Sequence, residues 1–79
     1  MNTSELKRTL AKHGISKYAF SIDGVGATEE QYRLKRDGPV WRFYYYERGV
    51  QVGIREFASE DEACRFLLDT LLADQTTRR

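Results

Sequence analysis

Apolar positions recur along this chain with two periods. Near each end they return every three to four residues, and in between they alternate with polar ones. The first period marks helices and the second half-buried strands. Leu6 and Leu10 stand one helical turn apart, and Ala11 extends their stripe. Asn2 and Glu5 have the spacing of an N-cap and its N3 partner. Gly14 takes the position just past the C-cap, so that Ile15 folds back on Leu10. These signals predict a helix over about residues 3–13. At the other end, Ser59 and Glu62 spell a capping box, and Glu60 and Asp61 add negative charge at the positive end of the helix dipole. Ala63, Phe66, Leu67, Thr70 and Leu71 follow at helical spacing, with Cys64, Leu68 and Leu72 widening the stripe.

Four alternating runs lie between the helices. Tyr18, Phe20 and Ile22 form the first, and Asp23–Gly24–Val25–Gly26–Ala27 reads as a loop. Tyr32 and Leu34 point inward from the second, and Asp37–Gly38–Pro39 turns the chain. The third is the aromatic run Trp41–Arg42–Phe43–Tyr44–Tyr45–Tyr46, and Glu47–Arg48–Gly49 turns it into the fourth, with Val52 and Ile54 inward. Short connections between successive strands favour an antiparallel meander.

The predicted fold is therefore α+β, a four-stranded antiparallel sheet with N- and C-terminal helices packed on one face (α-β-β-β-β-α). Tyr18, Phe20, Tyr32, Leu34, Trp41, Phe43, Tyr45, Val52 and Ile54 would form the covered face. Arg33, Lys35, Val40, Arg42, Tyr44, Tyr46, Gln51 and Arg55 would stand on an open one. Residues 1–79 make a single domain, with about 75–79 a frayed, polar tail.

Composition narrows the function. At 79 residues the domain is near the lower limit for a core without staples, and its one cysteine forms no internal disulfide, which fits a reducing, cytoplasmic setting. The stretch from Asn2 to His13 is polar and amphipathic, unlike a signal peptide, and no run approaches the ~20 apolar residues of a membrane span. Thirteen basic and twelve acidic residues give a net charge of +1, which disfavours non-specific nucleic-acid binding.

Candidate chemistry is sparse. The single histidine, His13, falls at a helix C-terminus with no partners for a metal site, and Cys64 borders an apolar stripe as a buried thiol. Gly24–Val25–Gly26 lacks the third glycine and the following helix of a nucleotide fingerprint, and Thr28–Glu29–Glu30 puts carboxylates where phosphate would sit. No nucleophile–base pair is legible, and neither an enzyme nor a cofactor is expected. The aromatic and basic face is the expected partner surface: Arg42, Tyr44, Tyr46 and Arg55, with Glu47 and Arg48 at its rim. Tyrosine and arginine are the residue types that dominate interface hot spots. The acidic side, Glu29, Glu30, Glu60, Asp61 and Glu62, is the competing surface.

The run from Trp41 through Tyr44–Tyr45–Tyr46–Glu47–Arg48–Gly49, followed by Phe57–Ala58–Ser59–Glu60–Asp61–Glu62–Ala63–Cys64–Arg65–Phe66–Leu67–Leu68, resembles small bacterial immunity proteins that accompany polymorphic toxins. The resemblance covers roughly the C-terminal half. It implies a non-enzymatic cytoplasmic protein that binds one cognate toxin domain, a nuclease or an NAD-consuming enzyme, and blocks it. It carries over no binding residues. The alternative is a small RNA-binding module, since an open sheet bearing tyrosines and arginines resembles single-strand RNA platforms. Against it stand the acidic start of the last helix and the balanced charge.

Overall fold

The computed structural model describes residues 1–24 and 30–77. The element order is α1 (Thr3–Lys12), β1 (Phe20–Ile22), β2 (Gln31–Asp37), β3 (Val40–Glu47), β4 (Val50–Phe57) and α2 (Glu60–Ala73), followed by a short 3₁₀ turn, Gln75–Thr77. The four strands form one sheet in chain order. The Gly24–Val25–Gly26 loop falls largely outside the described residues.

Both helices start at the caps their sequences predict, α1 with the full reciprocal box and α2 with the Ser59 half of it. The Glu5 amide donates to Asn2 Oδ1 at 2.9 Å, and the Asn2 amide donates to Glu5 Oε1 at 3.2 Å. At the far end of α1, the Ile15 amide reaches the Leu10 carbonyl and the Gly14 amide that of Ala11, the paired bonds of a Schellman motif. In α2, Ser59 Oγ accepts from the Glu62 amide, and its hydroxyl donates to the Glu62 carboxylate. The acidic first turn also serves α1, because Glu60 accepts from the Thr3 amide at 2.9 Å. A partly buried first-turn donor of α1 thus gains a charged acceptor.

The core is one cluster on one face of the sheet. Leu6, Leu10 and Ile15 enter from α1 and its end, Ala63, Cys64, Leu67 and Leu71 from α2, and Ile22, Leu34, Trp41 and Phe43 from the sheet. Each buried leucine contributes about 1.5–3 kcal/mol of transfer free energy. Phe66 of α2 sets its ring edge-on to Phe43, with centroids 4.8 Å apart, and 5.2 Å from Phe57. Burial pushes the Cys64 thiol up to about 11, so it stays protonated and unreactive.

The structure corrects three expectations. First, the sheet is mixed: β1 runs parallel to β2, pairing Phe20 with Tyr32 and Ile22 with Leu34. Alternation fixes which face a side chain takes but not the direction of its strand. The chain leaves α1 through a turn in which the Ala19 amide bonds the Ser16 carbonyl, so β1 begins only at Phe20. Tyr18 is left 63 % exposed.

Second, β4 does not alternate. Tyr45 pairs with Val52 but Phe43 with Arg55, so a bulge sets Gly53 and Ile54 together against Tyr44. The extra residue reverses the facing of everything beyond it. Arg55 and Phe57 therefore take the helix-covered face, and Ile54 leaves it. Val52 keeps the covered side but lies toward the β3–β4 turn, away from the Phe43–Phe57–Phe66 contacts, and half of it is exposed.

Third, the polar tail is not frayed at residues 75–77. The Ser16 amide donates to the Thr77 carbonyl at 2.7 Å, and the Thr77 hydroxyl bonds back to the Leu71 carbonyl. Thr77 is buried by these contacts.

Candidate functional site

The expected open-face residues lie on two different surfaces, and several are already engaged. Arg42 stands between two carboxylates, 2.7 Å from Asp37 and 2.8 Å from Glu56 across β4. Arg33 stacks over the Tyr46 ring, its guanidinium carbon 3.9 Å from the centroid. Tyr44 is only 7 % exposed. Wedged in the middle strand with Arg33 and Lys35 beside it, it behaves as a packed residue rather than an open hot spot. Arg55 is on the opposite surface, 5.4 Å over the ring of Phe66. The sheet thus brings Arg42, Tyr44 and Tyr46 together on its outer face but separates Arg55 from them.

Glu47 and Arg48 are exposed, as a hairpin tip requires. Arg48 and Gly49 both have positive φ, 51° and 79°. This is the signature of a type I′ turn, whose twist matches that of the flanking strands. An arginine there costs more than a glycine would, while its side chain projects freely from the tip.

The sequence reading missed the surface beside this tip. β4 is an edge strand, and every residue from Val50 to Glu56 is exposed. Val50, Val52 and Ile54 are 57 %, 50 % and 53 % exposed. Proteins commonly protect such edges with charge, proline or a bulge, since unpaired strand groups invite another chain. Here the bulge at Gly53 and the pair Arg55–Glu56 guard the end near α2. The end near the turn is aliphatic. A lone glycine within a strand pattern is the signal of a bulge, and read so, Gly53 removes Ile54 from the core.

The acidic candidates are divided as well. Glu60 caps α1, and Asp61 pairs with Arg65 at 2.8 Å. Glu29 lies outside the described residues. Compared with known proteins, the chain matches no family model, no curated protein and no solved structure. The site therefore rests on its own geometry. Among the described residues, no group of three or more histidine, cysteine or acidic side chains is placed to hold a metal ion, and no helix is long and apolar enough to cross a membrane.

Proposed function

We propose that the chain is a non-enzymatic protein-binding module, an immunity protein of a bacterial polymorphic-toxin system, that binds its cognate toxin domain in the cytoplasm through β4 and the β3–β4 turn. The observation that carries this reading is the set of exposed aliphatic residues along an unpaired sheet edge, Val50 and Val52 on its helix side and Ile54 on the other. Strand addition to such an edge gives affinity through main-chain hydrogen bonds and specificity through alternate side chains. The tip residues Glu47 and Arg48 form a charged rim beside an apolar centre, the usual anatomy of a protein interface. A nuclease and an NAD-consuming enzyme are the two target classes in view.

The RNA-binding alternative has less support. Of the bases expected on the outer face, Arg42 is neutralised by two carboxylates, Arg33 is stacked on Tyr46 and Arg55 faces the helices. Few unengaged cations remain there to release counterions from a phosphate backbone.

The reading predicts that the open reading frame immediately upstream encodes a large secreted protein with a variable C-terminal domain, and the test is co-expression with that domain. The native chain should restore growth, and the double variant Val52→Lys, Ile54→Lys should not, while keeping native circular dichroism. Full protection by the folded double variant would remove β4 from the reading.

A further inference from the structure

A second feature lies away from β4, where the residues after α2 meet β2 and β3. Tyr18, Tyr32, Tyr45, Glu30 and Asp74 line a cleft of about 210 Å³, together with Thr76. Drug-sized ligands occupy roughly 300–1,000 Å³, so this cleft suits a single side chain or a headgroup. Its described lining holds three phenol rings and two carboxylates but no lysine, arginine or histidine. Among the described residues, two cations adjoin the lining along the chain: Lys17 lies 5.2 Å over the ring of Tyr18, and Arg33 Nε donates to Gln31 Oε1 at 3.2 Å.

The polar groups are set for a positive guest. Tyr32 donates its hydroxyl to Asp74 Oδ2 at 2.8 Å, while Asp74 Oδ1 accepts from the Thr76 amide and hydroxyl at 3.0 and 2.7 Å. These bonds hold the Asp74 carboxyl below its ordinary range, so it is charged at neutral pH. The Tyr32 and Tyr45 rings meet edge to face, with centroids 4.8 Å apart, and present aromatic surface beside that charge. Ring faces and carboxylates both attract cations.

The acceptor count narrows the guest. A carboxylate offers about four acceptor positions, and Asp74 already uses three. One remains, which suits the point charge of an ammonium better than the two-pronged fork of a guanidinium. Glu30 stands on the cleft lining as a second counter-charge. We propose that this cleft is a binding site for an alkylammonium group, supplied either by a free amine or by a lysine side chain of a protein.

The probe is n-butylammonium chloride, titrated into the full chain and followed by amide chemical shifts, with 1-butanol as the neutral control. Saturable shifts should centre on Tyr32, Tyr45, Asp74 and Thr76 and be absent with butanol. Losing one charge-assisted contact should weaken binding about tenfold, in Glu30→Gln as well as in Asp74→Asn. The Glu30 variant keeps the test valid if Asp74→Asn loosens the tail. In a second arm, N-acetyl-lysine methylamide and its ε-acetylated form separate the sources. Binding of the unacetylated form alone assigns a lysine side chain, and binding of butylammonium without it assigns a free amine. Shifts that fail to saturate, that butanol reproduces, or that both carboxylate variants retain would overturn the site.

Discussion

The guanidinium of Arg55 lies over the ring of Phe66, on the face of the sheet that α2 covers. Two positions earlier Gly53 holds a φ of +65°, and nothing stands within 4 Å of where a Cβ would be. These facts have one cause, the bulge opposite Tyr44, which inserts a residue and turns Arg55 inward. Gly53→Ala meets no clash but must adopt a left-handed backbone. It should lower stability by about 1–2 kcal/mol, measured as a fall in the urea midpoint with an unchanged slope.

The layered core makes a contrast between two other positions. Trp41 is buried against the helices and pairs with Phe57 across the strand, so Trp41→Ala should cost about 3–5 kcal/mol. Ser59→Ala removes one capping bond and should cost about 1 kcal/mol. Equal, small losses in chemical denaturation would contradict the assignment of Trp41 to the core.

Much of the fold was legible in the sequence. The caps at Asn2 and Ser59, the Gly14–Ile15 helix end and the inward set Leu34, Trp41 and Phe43 all follow from local chemistry and spacing. The two errors in the sheet share a physical origin, because alternation records facing and nothing else. It is blind to the parallel sense of β1, which long-range packing decides. It is also blind to a one-residue insertion, which sends Ile54 and Arg55 to the wrong faces. The site was less legible than the fold. Tyr44 and Arg42 have the composition of an interface, but the side chains that occupy them, Arg33, Asp37 and Glu56, lie on neighbouring strands or at distant positions.

The tyrosines of the outer face should consequently respond differently to truncation. Tyr44→Ala should cost about 3 kcal/mol of stability because its ring is packed. Tyr46→Ala loses chiefly its stacking with Arg33, about 0.5–1 kcal/mol. Thermal melts of the two variants would distinguish these outcomes, and similar shifts would show that Tyr44 is not a packing residue.

Acid should act through Asp74. Its hydrogen bonds with Thr76 and Tyr32 lower its native pKa below the usual 3.8. That stabilisation is present above the unfolded value and is lost as pH falls through the native one. Tyr32 has the opposite sense. Burial, aided by its bond to Asp74, pushes it up to about 12, so its contribution holds below about 10 and disappears as pH rises toward 12. Urea midpoints should therefore fall less on acidification in Asp74→Asn than in the native chain. In ultraviolet titration, Tyr32→Phe should lose a phenol that ionises near 12.

The proposal that β4 receives a protein partner is tested most directly by amide hydrogen exchange over residues 50–57, with and without the toxin domain. In the free chain the unpaired amides of this edge should exchange quickly. On binding, protection should appear along β4 and at Arg48–Gly49, because strand addition engages those amides in main-chain hydrogen bonds. Protection confined to β2 or α2, with β4 unchanged in the complex, would contradict it.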